Sequence, residues 1–331
     1  MKKLYTIPVV IMSLMVLFPG LAWSQDAARV AQALDQYEQR QDTPVVQAPE
    51  PSQAWGQAPV VTDTAVNGKA VPPARRQHEF SVGVERYNYS YKETVSDRHF
   101  MDTKGRYNGF LAAYTFRPAD MDSMLREIVN VFRAELRYAA GRVDYTGNVT
   151  FSGIKEYMYE LRGVAGQEYV LSPSLTVMPY AGLGLRYLNN GLEALQPGGY
   201  NRESRYIYLP VGATGRWQWS APWGLAANLE YDHLLQGRQI SHFEDIQDAG
   251  GANAGYAQAS NTQRSGFGVR GELSLVRVWP RAQVSFGPFY RYWHIQDSDI
   301  SPWVQNGTPI GIVMEPDNVT KEIGLKMAVI F

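Results

Sequence analysis

Charged side chains recur at every second position within otherwise apolar segments of this chain, and that spacing bounds the chemistry it can do. Glu85; Arg133, Glu135 and Arg137; Glu160 and Arg162; Arg186; Glu230 and Asp232; Arg270 and Glu272; Arg291; and Lys326 form this set. Acids and bases gathered on one side of such segments either pair into a network that fills a core or line a path for ions. Pairing is the expectation, because an unpaired charge in a low-dielectric space is costly. Residues suited to general acid–base work are sparser: Asp232-His233 and Asp297-Ser298-Asp299 set a carboxylate beside an imidazole or beside a second carboxylate. Asp245, Asp248, Asp297, Asp299, Glu315 and Asp317 carry oxygens of the kind that hold Ca²⁺, but solvated acidic loops are the commoner arrangement and the expected one. The five histidines, at 78, 99, 233, 242 and 294, show no His-x-x-x-His spacing, and there is no cysteine, which excludes disulfides, thiol chemistry and a lipid anchor on cysteine. No cofactor, metal site or catalytic residue is assigned.

A period of two is the period of a β-strand, whose successive side chains point to opposite faces. About ten strands follow from it, with eight or twelve as alternatives: residues 79–93, 106–117, 131–145, 154–169, 175–188, 205–219, 225–238, 263–278, 283–296 and 319–331. Each exceeds the roughly 9–11 residues that a tilted strand needs to cross a bilayer. The apolar set, including Phe110, Tyr114, Phe132, Leu136, Leu183, Leu209, Val211, Phe286 and Tyr290, faces lipid, and the charged set faces a lumen. A soluble barrel would invert this arrangement, with an apolar lumen and a polar exterior, and could not bury so many charges in that lumen. In the first strand Tyr87, Tyr89 and Tyr91 are out of phase with Phe80, Val82 and Val84, and a bulge near Glu85 or Arg86 is expected to restore them to the lipid side. Aromatics mark two girdles. Phe116, Trp217, Trp219, Trp223, Trp279 and Phe331 lie at one end, and Tyr145, Tyr157, Tyr187, Tyr206, Tyr231 and Tyr292 toward the other.

The connections alternate in kind. Proline-containing turns follow the even strands at 118–120, 172–174, 221–223 and 279–281, the first running on as far as 130; longer polar loops follow the odd ones at 94–104, 146–153, 189–204, 239–262 and 297–318. Upstream, Lys2 and Lys3, an apolar stretch at 7–21 and Ala22-Trp23-Ser24 read as a secretory signal peptide over 1–24. Residues 25–76, rich in Pro, Gln and Ala, read as an arm too poor in large apolar residues to fold alone, with a short helix at 27–40. The barrel then occupies 77–331. The balance of 31 Lys and Arg against 32 Asp and Glu suggests no nucleic-acid partner.

At the far end Ile323, Leu325, Met327, Val329 and Phe331 alternate along a terminal strand that stops on an aromatic. This resembles the C-terminal sorting signal of Gram-negative outer-membrane β-barrel proteins, which the barrel-assembly machinery reads. The chain as a whole resembles small OmpA-like and porin-like barrels. The resemblance implies an all-β, antiparallel, up-and-down transmembrane barrel in the cell outer membrane, with a periplasmic arm and extracellular long loops. It also implies outer-membrane lipid and lipopolysaccharide as surroundings, an extracellular ligand at the loops and a periplasmic partner for the arm. Ten strands is also the number in omptin proteases, and the Asp232-His233 and Asp297-Ser298-Asp299 pairs are a partial similarity to that family's site. Adjacent strand residues face opposite sides, however, so Asp232 and His233 reach one lumen only across a bulge. The expected role is structural or interactive, with the lumen closed by paired charges; a narrow porin-like channel is second, and an outer-membrane enzyme such as a protease or lipid-modifying hydrolase third.

Overall fold

The computed structural model describes residues 76–119, 123–194 and 198–331. The expected signal peptide, almost all of the arm and the helix at 27–40 lie outside these residues. Alternating sequence becomes strand throughout: β1 (His78–Val95), β2 (Arg98–Phe116), β3 (Val131–Thr146), β4 (Thr150–Gly166), β5 (Tyr169–Ser172), β6 (Leu175–Asn190), β7 (Arg202–Gln218), β8 (Trp223–Ser241), β9 (Ala259–Gln263), β10 (Gly266–Val278), β11 (Gln283–Ile295), β12 (Ser301–Gln305), β13 (Thr308–Val313) and β14 (Asp317–Ile330). A single short α-helix among the described residues, α1 (Ser123–Ile128), sits in the β2–β3 connection.

Successive strands of the ring pair antiparallel, and β14 closes onto β1 with Val82 opposite Val329 and Tyr89 opposite Glu322. The ring is β1-β2-β3-β4-β6-β7-β8-β10-β11-β14, a closed ten-stranded barrel, with β5 and β9 as short extensions and β12–β13 as a separate hairpin. Closure pairs both edges of all ten ring strands, so no ladder of the barrel wall is left open to lipid. Phe331 completes it, its N–H donating to the Phe80 carbonyl at 2.8 Å and its own carbonyl accepting from Phe80 at 3.0 Å. Both ends of the barrel segment therefore lie at one rim, here called the turn end.

Outward side chains define a band. On β1 they run Phe80, Val82, Val84 and then Arg86, Asn88, Ser90, Lys92; on β2, moving the same way, Phe116, Tyr114, Ala112, Phe110 and then Asn108, Arg106, Lys104. Phe80, Val84, Phe110, Leu183, Leu229 and Leu325 are each roughly half exposed or more, which a surface in water would not sustain as a continuous belt. Only the turn-end half is apolar. Since β1, β2 and β8 have 18, 19 and 19 residues, against the roughly 9–11 needed to cross, the loop-end half stands beyond the lipid.

That extra length corrects several expected connections. Residues 94–104 are a tight hairpin rather than a long loop: Ser96 and Asp97 both take positive φ (48° and 62°), which short polar side chains tolerate, and β2 begins at Arg98. The 146–153 loop shrinks to residues 147–149, and the 297–318 loop contains the β12–β13 hairpin. The expected bulge near Glu85 is absent. Pairing runs without a break from Ser81 to Thr94 on the β14 side, and the one irregularity on the β2 side falls between Glu93 and Thr94. Tyr87, Tyr89 and Tyr91 thus stay in phase with Glu85 and point inward, where each is buried. The alternation there had not slipped; the exterior had turned polar because it leaves the band. Tyr145 and Tyr206 likewise turn inward instead of joining a girdle.

Candidate functional site

The interior is stacked in layers. Midway along the barrel five arginines meet five carboxylates, with a sixth, Glu135, at the cavity edge of the layer. Arg137, from β3, donates through Nε to Glu85 Oε1 at 2.6 Å and through Nη2 to Glu322 Oε2 at 2.5 Å. Arg291, from β11, joins the same two acids, with Nη2 on Glu85 Oε2 at 2.8 Å and Nη1 on Glu322 Oε2 at 3.1 Å, and Arg186 Nη2 reaches Glu322 Oε1 at 3.1 Å. Across the lumen Arg270 forks onto Glu160 (2.9 and 2.6 Å) and sends Nε to Asp232 Oδ2 at 2.6 Å. Arg162 bridges Glu230 and Glu135. Tyrosines fill the remaining valences: Tyr208 donates to Glu160 at 2.9 Å and accepts from Arg270 at 2.9 Å, and Tyr180 donates to Glu230 at 2.7 Å. Planar guanidinium forks matched to carboxylates are the geometry in which a buried ion network is satisfied.

On the loop-end side of this layer the section is packed with rings and apolar groups: Tyr87, Tyr89, Tyr107, Met158 and Leu188 on one side, Tyr208 and Trp293 on the other. Tyr107 and Trp293 are 0% and 2% exposed. Above them, at the mouth, Arg202 holds Glu93 at 2.6 Å and also Glu315, while the Tyr91 hydroxyl donates to Glu93 at 2.8 Å and to Glu315 at 3.0 Å. Glu315 follows β13 and lies outside the membrane-crossing segments. Its burial, with Glu93 alongside, pushes its carboxyl up to about 7 despite Arg202. On the turn-end side the lumen instead opens into a cavity of about 250 Å³ lined by Arg133, Glu135, Tyr180, Arg216, Glu272 and Lys326, with the charged layer as its floor.

Every lumen charge expected from the alternation faces inward and finds a partner. Arg133 pairs with Glu135 at 2.8 Å and Lys326 with Glu272, both toward the cavity. The member missing from the expected set is Glu322, 0% exposed and touching three arginines. With it the network has seven bases and seven acids. Its parity with Lys326 on the terminal strand was the signal that would have found it. The aromatic layer and the Arg202 cluster were not foreseen either, since both depend on strands longer than the lipid band.

The sparser chemistry does not converge. Asp232 points into the lumen and His233 outward, where it stacks near Tyr231 (6.5 Å). Asp299 accepts from the Thr262 N–H at 2.6 Å, Asp248 caps the N–H groups of Gly250 and Ala252, Asp245 accepts from Asn201, Asp317 pairs with His294 at 2.7 Å, and Glu315 is held at the mouth. These carboxylates are spread over separate partners, and among the described residues no three or more His, Cys, Asp or Glu side chains come together as a metal-binding group.

No family model matches the chain, and no curated relative does either. Solved structures similar to it include the outer membrane protease OmpT from Escherichia coli (10% identity, TM-score 0.45, covering 78% of this chain and 98% of that one). The translocator domain of autotransporter NalP from Neisseria meningitidis is similar at 9% identity and a TM-score of 0.34, covering 76% and 89%. A major outer membrane protein from Thermus thermophilus follows at 12% identity and 0.31, covering 77% and 100%. The class rests on the barrel's own geometry: even strand number, closure, an apolar exterior band, charges inside and both barrel ends at one rim are the architecture of bacterial outer-membrane β-barrels.

Proposed function

We propose that this chain is a closed outer-membrane barrel of a Gram-negative cell that acts as a structural and interaction protein through its loop end, not through a conducting lumen. The turn end faces the periplasm with the arm, and the loop end faces outward. The observation that carries the reading is the double seal: a charge-balanced layer of five arginines and five carboxylates beneath a layer of buried rings. Moving an ion through it would require breaking charge-assisted hydrogen bonds among buried groups. An interaction role is supported by the apolar side chains that the loop end exposes far from the lipid band, Phe100, Val149, Phe151, Ile300 and Ile312 among them, the last 70% exposed. The outward Ile323, Leu325, Met327, Val329 and Phe331 serve as the assembly signal, so deletion of Phe331 should leave protein in the periplasm.

A gated narrow channel is the second reading, favoured by the cavity that already enters from the turn end. Planar-bilayer recording of the purified full-length barrel separates the two. A sealed lumen gives no steady openings at moderate voltage; reproducible wild-type openings whose ion selectivity shifts on Arg137→Ala would move the function to a channel.

A further inference from the structure

On the outer wall, just beyond the apolar band, three basic residues stand in one cross-strand row. Arg106 on β2 lies directly opposite Arg142 on β3, which lies directly opposite Lys155 on β4. All three are exposed and point away from the lumen. Directly opposed residues on neighbouring strands have Cα atoms about 4.5–5.5 Å apart, and like charges so placed are destabilising. The described residues give them no acidic relief: Arg106 and Lys155 have no carboxylate partner, and Arg142 donates only to the Gly153 carbonyl, at 3.0 Å. The nearby acids are engaged elsewhere, Asp144 with the Gly153 N–H at 3.1 Å and Asp102 with Lys104 at 2.9 Å.

Four residues closer to the turn end on the same outward faces lies a second row, Phe110 opposite Tyr138, Tyr138 opposite Tyr159 and Tyr159 opposite Tyr187. The Tyr138 and Tyr159 rings are 5.2 Å apart, and Tyr157 lies 5.6 Å from Tyr159, between the two rows. Arg205 sits over the Tyr187 ring at 5.9 Å. Rings with apolar bodies and polar edges occupy the boundary between acyl chains and head groups. The basic row then falls at head-group height, on the side assigned above to the outer leaflet.

We propose that Arg106, Arg142 and Lys155 form a binding site for the phosphate groups of an outer-leaflet phosphoglycolipid of the lipid A class, with the tyrosine row beneath it receiving the lipid's glycosyl and acyl base. A phosphate between the three side chains turns their mutual repulsion into charge-assisted hydrogen bonds, for which guanidinium groups are geometrically suited. The inference rests on the outward orientation of the loop end, not on whether the lumen conducts.

The test uses the full chain refolded into phosphatidylcholine nanodiscs doped with bisphosphorylated lipid A, with retained lipid counted by native mass spectrometry. Wild type should retain lipid A, and the triple variant R106Q/R142Q/K155Q should retain it about tenfold less or worse. Arg277→Gln, which removes an outward base from the turn-end edge of the barrel, should behave as wild type. Dephosphorylated lipid A should be retained poorly by every form. Equal retention by wild type and the triple variant would overturn the proposal, as would equal retention of the dephosphorylated lipid. Competition by millimolar inorganic phosphate that removed all retained lipid would reassign the row to free anions. Heat-modifiable gel migration checks folding, and single Arg142→Gln is read in the same assay should the triple variant not fold. Conductance is recorded separately, so a barrel that conducts yet retains lipid A would refute the sealed lumen and leave this site standing.

Discussion

Replacing Arg137 with alanine tests the reading of the charged layer most directly. Arg137 is 5% exposed and makes two charge-assisted hydrogen bonds, to Glu85 at 2.6 Å and Glu322 at 2.5 Å, with Glu160 at 3.7 Å. Breaking a buried ion pair from one side costs about 3–5 kcal/mol, because the acids left behind remain desolvated. Here Arg291 still holds both Glu85 and Glu322, and Arg186 holds Glu322, so the two carboxylates are weakened rather than orphaned. The loss should therefore fall near the lower end, about 3 kcal/mol. Adding Glu322→Gln returns the layer to charge balance, and the double variant should lose less than the sum of the two single losses. The assay is urea unfolding of the refolded barrel in lipid, followed by gel migration and tryptophan fluorescence. Truncation also extends the turn-end cavity, since Arg137 lines it. The ring layer of Tyr87, Tyr89, Tyr107 and Trp293 stays in place, so the variant should be weaker and still not conduct. A single variant within about 0.5 kcal/mol of wild type would refute the argument, since that is the range of ordinary surface changes. Additive losses in the double variant would refute it as well.

At the mouth, Glu315 has its carboxyl raised from its usual 4.5 to about 7, mainly by burial, with Glu93 beside it and Arg202 opposing. An acid with a raised native pKa adds stability that is complete below about 4.5 and is lost as pH climbs through about 7. Hydrogen exchange in Ser301–Gln305 and Thr308–Val313, corrected for intrinsic rates, should thus quicken between pH 5 and pH 8, and Glu315→Gln should flatten that dependence; an unchanged slope would remove Glu315 as its source. Gly184 on β6 faces the Tyr208 ring so closely that a Cβ there would fall 2.1 Å from the ring carbon Cζ. Gly184→Ala should displace the tyrosine that links Arg270 to Glu160 and cost about 1–3 kcal/mol by overpacking, read as a lower urea midpoint, and an unshifted midpoint would show that the ring moves freely. For orientation, a cysteine at Ala254 on intact cells should react with a membrane-impermeant maleimide and one at Ser172 should not; the opposite pattern would invert the barrel.

How much of this was written in the chain follows from one physical fact: a strand's two faces alternate with period two wherever it lies. Alternation by itself pointed to the barrel class, about ten crossing strands, the lipid-facing set from Phe110 to Tyr290 and an inward set of charges that includes Glu85, Arg137, Arg270 and Lys326. It needs only nearest neighbours along the chain, and lipid on one side enforces it without exception. Which inward charge meets which depended on closure, because Glu85, Arg137, Arg291 and Glu322 come from β1, β3, β11 and β14 and meet only once β14 pairs with β1. The inward turn of Tyr87, Tyr89 and Tyr91 also waited on the tertiary structure. Their polar outward neighbours Arg86, Asn88 and Ser90 look like a slipped register until the height of the lipid band is known. The opposition of Arg106, Arg142 and Lys155 is a matter of register between strands 36 and 13 residues apart along the chain, and register is decided by hairpin geometry and the shared apolar band rather than by any local pattern.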